Sequence, residues 1–190
     1  MTVDDVRAPI LRLATLADVP AIADVHVRAW QRAYRGILPD AFLDALAPEQ
    51  RHARWEREVA APDDEITVIV AADRTSGRIL GFCSVCPQKR REPGDDALPA
   101  TGELHTMYVD GEETGRGTGR RLMGAGEDRM REMGFTRGVL WMLAENAPAR
   151  GFYERMGWRA DGVATEIPYG DRLVPEIRLT RTLMDRPAQP

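Results

Sequence analysis

The sequence predicts a mixed α/β fold with one core. Three observations carry this reading. Short segments rich in apolar and β-branched residues alternate with amphipathic helical ones. The run from Val139 to Ala144 is almost continuously apolar, as in a strand covered on both faces. A glycine-rich turn joins a strand ending at Val109 to a helix starting at Thr118. At 190 residues and 43% hydrophobic, the chain can bury one sizeable core but is short for two. Residues 1–190 are therefore read as one domain, with 184–190 as a frayed tail.

Taken in order, Ile10 to Ala14 alternates apolar and polar residues and reads as a first strand. Thr15 and Asp18 have capping-box spacing with Asp in place of Glu, so a helix is expected from there. It would bury Ile22, Val25, Ala29 and Ala33 on one stripe and stop near Gly36. Asp40 to Leu46 reads as a short helix and Pro48 to Val59 as a longer one carrying Trp55. Ile66 to Ala72 and Arg78 to Cys86 flank a hairpin-like turn, Asp73 to Gly77, and should pair antiparallel. Pro87 to Gly102, rich in proline and charge, reads as a mobile surface loop. A strand from Glu103 to Val109 and a helix from Thr118 to Met133, stopped by Gly134, follow. After the apolar run, Asn146 caps a helix that ends at Gly157, and strands at Trp158 to Ile167 and Arg172 to Leu183 complete the pattern.

Composition narrows the function classes. The net charge of −4 is dispersed, so no broad basic surface for nucleic acid or acidic membrane is expected, and an acidic balance weakly favours cationic substrates. Neither a signal-like N-terminus nor a membrane-length apolar segment is present in the sequence, which predicts a cytoplasmic protein. Cys83 and Cys86 sit in a strand-like stretch and read as a buried, reduced pair on opposite faces; a zinc site would need further ligands at matching spacing. No metal is expected.

The segment Tyr108-Val-Asp-Gly-Glu-Glu-Thr-Gly-Arg-Gly-Thr-Gly-Arg120 is the strongest chemical signal. Glycines at 115, 117 and 119 let backbone N–H groups converge and let a phosphate approach, while the helix start adds unpaired donors and partial positive charge. Arg116 and Arg120 can add full charges. A nucleotide triphosphatase loop would need Gly-Lys-Ser/Thr, but Gly119 is followed by Arg120 and Arg121. A dinucleotide fingerprint fails too, since the sixth position counted from Gly115 is Arg120. Taken alone, the loop could still use its glycines only for its own turn.

Two further blocks accompany it: Glu103-Leu-His-Thr-Met-Tyr-Val109, and Ala144-Glu-Asn146 followed by Ala149-Arg-Gly-Phe-Tyr153-Glu-Arg-Met-Gly157-Trp158. With Thr114, Gly117 and Gly119 on the signature Gln/Arg-x-x-Gly-x-Gly/Ala, the chain resembles the GNAT superfamily of N-acetyltransferases. Thr114 departs from the usual first residue. His26-Val-Arg-Ala-Trp30 and Tyr34-Arg-Gly36 extend the resemblance to the opening helix. It implies a twisted sheet of six or seven strands with about four helices, in which the strands ending at Val109 and starting at Val139 run parallel and splay apart. Acetyl-coenzyme A would lie in that gap. Its pantetheine arm would meet Met107, Tyr108, Val109 and Asn146, and its pyrophosphate Thr114, Gly115, Arg116, Gly117, Thr118, Gly119 and Arg120. A homodimer is also implied.

By the same resemblance the activity would be acetyl transfer to a primary amine, of a small molecule or a protein N-terminus, by direct attack without an acyl-enzyme. Glu103 occupies the place of a general base and Tyr153 that of the general acid, which would also lie against the cofactor. Glu103 is expected to share a strand face with His105, Met107 and Val109. His105 reads as a substitute base or a polar wall of the substrate site. Trp30 and Tyr34 could line the acceptor pocket or belong to the core. A binder of acyl-coenzyme A without turnover, acting as a sensor or partner module, is the competing function.

Overall fold

The computed structural model describes residues 8–62, 64–170 and 172–183; the expected tail at 184–190 lies outside them. Its strands are β1 (Ile10–Leu13), β2 (Thr67–Ala72), β3 (Ile79–Pro87), β4 (Thr101–Val109), β5 (Arg137–Leu143), β6 (Arg159–Tyr169) and β7 (Arg172–Thr182). They form one seven-stranded sheet in the order β1-β2-β3-β4-β5-β7-β6. Every pair is antiparallel except β4 with β5. Five α-helices are described: α1 (Val19–Ala33), α2 (Asp40–Asp44), α3 (Glu49–Ala60), α4 (Thr118–Glu132) and α5 (Ala147–Arg155).

Both faces of the sheet are covered, which is why β2 is buried along its whole length. Val68 and Val70 meet Ile22 and Val25 of α1 and Trp55 of α3. Ile69 and Ala71 face the opposite cluster, with Leu122, Met123 and Met130 of α4 and, at its margin, Phe152 and Met156 of α5. A third cluster joins Leu38 and Leu43, before and within α2, to Leu143 and Val174 at the end of β5 and β7. Asp18 accepts the Thr15 N–H at 2.8 Å, and Arg12 grips both its oxygens at 2.7 Å. This cap opens only a 3-10 turn, Leu16–Asp18, after which Pro20 occupies the first turn of α1, where no N–H is required. Of the predicted stripe, Ile22, Val25 and Ala29 are buried, while Ala33 in the last turn is exposed.

Cys83 and Cys86 are buried free thiols, each pushed up to about 12 by burial. No helix among the described residues is long and apolar enough to cross a membrane.

Two expectations need correction. The stretch from Pro87 to Gly102 is no loose loop. Asp95 within it is buried, accepting from Arg178 at 2.7 Å, Gln88 Nε2 at 2.7 Å and the Glu92 N–H at 2.8 Å. Arg178 is equally buried and also donates to Asp161 at 2.8 Å. Removing one partner of such a pair strands the other charge, at a cost of about 3–5 kcal/mol. The second correction concerns β4. Its pairing with β3 steps from Ser84↔Thr106 to Val85↔Leu104, so His105 is an extra, bulged residue. The bulge reverses the side-chain alternation. Leu104, Met107 and Val109 face α4, whereas Glu103, His105 and Tyr108 face α1 and α3. Glu103 and His105 therefore do not share a face with Met107 and Val109.

His26 of α1 is packed under this second face. Trp55 donates to its Nδ1 at 3.1 Å and Tyr108 stacks on it at 5.0 Å. Burial, then the charges of Arg51 and Arg54, lower its pKa from 6.5 to about 3. Between those values the unfolded chain takes up a proton that the folded chain refuses, so stability falls as pH drops through that window. From pH 7 to pH 5, His26→Gln should lose about 2 kcal/mol less stability than the wild type in urea unfolding. Equal losses would remove His26 as the source.

Candidate active site

The site begins where pairing ends. β4 and β5 are in register only at Thr101↔Arg137, Gly102↔Gly138 and Glu103↔Val139. The facing glycines make this vertex compact: a Cβ on Gly102 would sit 2.9 Å from Met130, and one on Gly138 would sit 2.8 Å from Trp158. Beyond it β4 keeps its ladder with β3, and β5 its ladder with β7, while their facing edges are unpaired. The bulge at His105 adds local twist just where the strands part. Peptide groups along Leu104 to Val109 and Leu140 to Leu143 are thus left open to a ligand or water.

The glycine turn lies at the mouth of this gap. Gly115 and Gly117 have φ of 82° and 87°, a left-handed conformation that favours glycine, and nothing stands within 4 Å of where their Cβ atoms would be. Gly117 caps α4 without any side-chain cap, and the first turn carries no acidic residue. The opening N–H groups of α4 lack intrahelical acceptors and aim outward. Arg116 and Arg120 are exposed beside them, as is Thr114. Thr118 points inward, its hydroxyl 3.4 Å from the Glu113 carboxylate. Gly119 has ordinary backbone angles, and a Cβ there would only touch Val109 and Phe152 at 3.6 Å. Helix α5 contrasts with α4, for its N-terminus is capped by Asn146 Oδ1, which accepts the Ala149 N–H at 3.2 Å.

On the face toward α1 and α3, Glu103 is buried and accepts from His105 Nδ1 at 2.9 Å, the Lys89 N–H at 2.9 Å and the Arg90 N–H at 3.4 Å. Burial alone would raise its pKa, but His105 and these two amides outweigh it and hold the carboxyl below its ordinary value. Glu103 is therefore an inward-facing, fully hydrogen-bonded carboxylate. On the far side of the ring, Arg54 lies 3.4 Å from His105 Nε2. A carboxylate can only accept, so the contact with Glu103 places a proton on Nδ1 and leaves Nε2 on the side of Arg54.

All four tyrosines of the chain gather here. The Tyr34 and Tyr108 hydroxyls are 3.4 Å apart, and Tyr169 packs edge-on to Trp30 at 6.2 Å. Tyr153 arrives with α5 from the other face, and makes no hydrogen bond to a described residue, yet lies close enough to feel Tyr108. Burial raises the pKa of Tyr34, Tyr108, Tyr153 and Tyr169 above the usual phenol value, so each keeps its proton at neutral pH. Trp30 and Tyr34, left open between pocket and core by the sequence, are partly buried here. They pack on the cluster around Leu143 and form a wall with Phe42 and Tyr169.

Residues 26–158 match the Acetyltransferase (GNAT) family. This chain belongs to that family. The uncharacterized N-acetyltransferase YuaI of Bacillus subtilis is 28% identical over 144 residues, 76% of either chain. A mycothiol acetyltransferase of Arthrobacter sp. is 37% identical over 101 residues, spanning 52% of this chain but 30% of that longer protein. Among solved structures, the putative acetyltransferase yncA from Salmonella typhimurium, with its cofactor acetyl-CoA, superposes with a TM-score of 0.66 at 22% identity, over 96% of this chain and 98% of that one. The seven-stranded sheet with its parallel β4–β5 pair is the GNAT fold.

Within the family frame, several side chains around the pocket escape sequence reasoning. Arg51 and Arg54 lie on α3, whose charge pattern reads as a solvated face. Trp141 lies under Arg90, at 3.5 Å from guanidinium to ring centre, and Arg90 in turn pairs with Glu176 at 2.7 Å. A cavity of about 730 Å³ also exists beside α1, but its Arg28 is already paired with Asp24 and Asp110. Gly117→Val is expected to reduce coenzyme A affinity at least tenfold, because a branched side chain disfavours φ of 87° and would obstruct the helix start. Titration calorimetry on the folded variant checks this; unchanged affinity would remove the turn from the binding site.

Proposed function

We propose that this chain moves the acetyl group of acetyl-coenzyme A to a primary amine by direct attack, without an acyl-enzyme. The observation that carries the reading is the gap between β4 and β5, with free peptide edges and an uncapped glycine turn at its mouth. The fit is chemical. A pantetheine arm carries amides that can bond to strand edges, and a pyrophosphate needs convergent N–H groups with nearby cations. Met107, Tyr108 and Val109 would line the arm, Asn146 Nδ2 is free of any described partner, and Gly115 to Arg120 would hold the pyrophosphate. When bound, the thioester supplies an activated acetyl group and a thiolate leaving group.

The residues of this chain divide the proton work between the two faces of the sheet. His105 Nε2, 3.4 Å from Arg54, would take a proton from the acceptor ammonium once that contact gives way. Glu103, with its depressed pKa, is a weaker direct base, and its role is to hold the His105 ring and tautomer and to stabilise the imidazolium that forms. Tyr153, protonated at neutral pH, would give its proton to the departing thiolate. A main-chain N–H near Val109 would face the oxygen on which negative charge develops, an interaction worth about 10²- to 10³-fold in rate. An acid and a base both poised at the gap support turnover over passive binding.

The test is thiol release from acetyl-coenzyme A in the presence of a panel of primary amines. Tyr153→Phe should lower kcat about tenfold or more with little change in coenzyme A affinity, and an unchanged kcat would remove Tyr153 from the mechanism. His105→Ala should lower kcat by about 10²-fold or more, and Glu103→Gln by less, since glutamine still accepts a hydrogen bond from Nδ1. If His105→Ala were as active as the wild type, the base would lie elsewhere.

A further inference from the structure

The charges around the acceptor side do not cancel evenly. Arg54 is paired with Glu58 at 2.8 Å and Arg90 with Glu176 at 2.7 Å. Glu103 is met by His105 and by two backbone amides, and no lysine or arginine side chain among the described residues pairs with it. Arg51, one turn before Arg54 on α3, is the opposite case. Its guanidinium lies over the Trp30 ring at 5.4 Å, its Nε is buried without a hydrogen-bond partner, and no carboxylate among the described residues pairs with it. Burial and then the like charge of Arg54 lower its pKa, while the phenols of Tyr108 and Tyr169 are its other electrostatic neighbours. A half-buried guanidinium with an unmet donor is costly and uncommon, and contact with one indole offsets only part of that cost.

We infer that the acceptor amine carries an oxyanion, a carboxylate or a phosphoryl group, that Arg51 receives while the amine faces His105 and Glu103. The inference rests on the transferase reading above. The acceptor side then has a carboxylate–imidazole pair at one end and an unpaired guanidinium at the other, an arrangement that suits an amine bearing an anion. Arg51 connects to the base along α3: Arg54, three residues on, reaches His105 Nε2 at 3.4 Å, and His105 reaches Glu103 at 2.9 Å. A guanidinium fork suits an oxyanion's two oxygens. Polyamines would meet two arginines with nothing to offer them, and a protein N-terminus presents a neutral amide where the anion is called for. The chain's overall negative charge of −4 is thus a poor guide to its substrate.

The experiment is titration calorimetry on the coenzyme A-loaded protein, run beside acetyl transfer. Its ligands are matched pairs: amino acids against their primary amides, O-phosphoethanolamine against ethanolamine, and spermidine as an all-cationic amine. At least one anionic amine should bind tenfold or more tightly than its uncharged counterpart, and the pair that responds identifies carboxylate or phosphoryl. Arg51→Gln should bring that amine down to the level of its counterpart, while Arg51→Lys, which keeps the charge, should retain part of the preference. Equal binding within every pair, tighter binding of spermidine, no binding by any anionic amine, or intact discrimination in Arg51→Gln would each overturn the inference. Discrimination lost in Arg51→Gln without any acetyl transfer would support the anion site and sink the transferase reading instead.

Discussion

β4 and β5 stop pairing after three residues, and the peptide groups exposed beyond that point govern the rest of the site. A backbone N–H or C=O is tolerated without a partner only where water or a ligand can reach it. The sheet therefore cannot be closed over at its centre, even though both of its faces are covered by helices. The uncapped start of α4 adds the same kind of unmet donor at the end of the same opening. Three independent demands for hydrogen-bond partners, from two strand edges and one helix terminus, thus meet at one opening.

The bulge in β4 gives the gap two chemically different sides. Met107 and Val109 join the apolar cluster under α4, an unreactive wall suited to a long flexible arm. Past His105 the alternation is reversed, and the opposite face gains Glu103, His105 and Tyr108 next to α1 and α3. A regular strand would have put carboxylate, imidazole and thioether on one side. With the bulge, Glu103 and His105 are kept apart from the surface of Met107 and Val109, while Tyr153 approaches from the far face.

The fold was largely legible because its elements are local. Seven strands and their hairpins follow from β-branched runs and turn residues, and the N-cap at Asn146 from a short-range pattern. The glycine turn was legible too, because its positive φ values leave a trace in residue type at Gly115 and Gly117. What stayed hidden depends on contacts distant in sequence. The one-residue slip at His105 arises from register against β3 and changes no residue type. Asp95 looks like any loop aspartate until Arg178 closes on it. Arg51 and Arg54 look like solvent-facing charges on an amphipathic helix, and only the packing of α3 beside Trp30 and His105 turns them inward.

The glycine pair at the vertex has a mechanical consequence. Trp158 lies against Gly138, its indole N–H donates to Glu127 at 3.0 Å, and Glu127 is also held by Arg181 at 2.6 Å. The angle between the two strands is thereby wedged by an aromatic ring anchored to α4. Such a crevice behaves as a fixed jaw rather than a hinge: its aperture is set when the protein folds, and cargo of the wrong girth meets a rigid frame instead of an adaptable one.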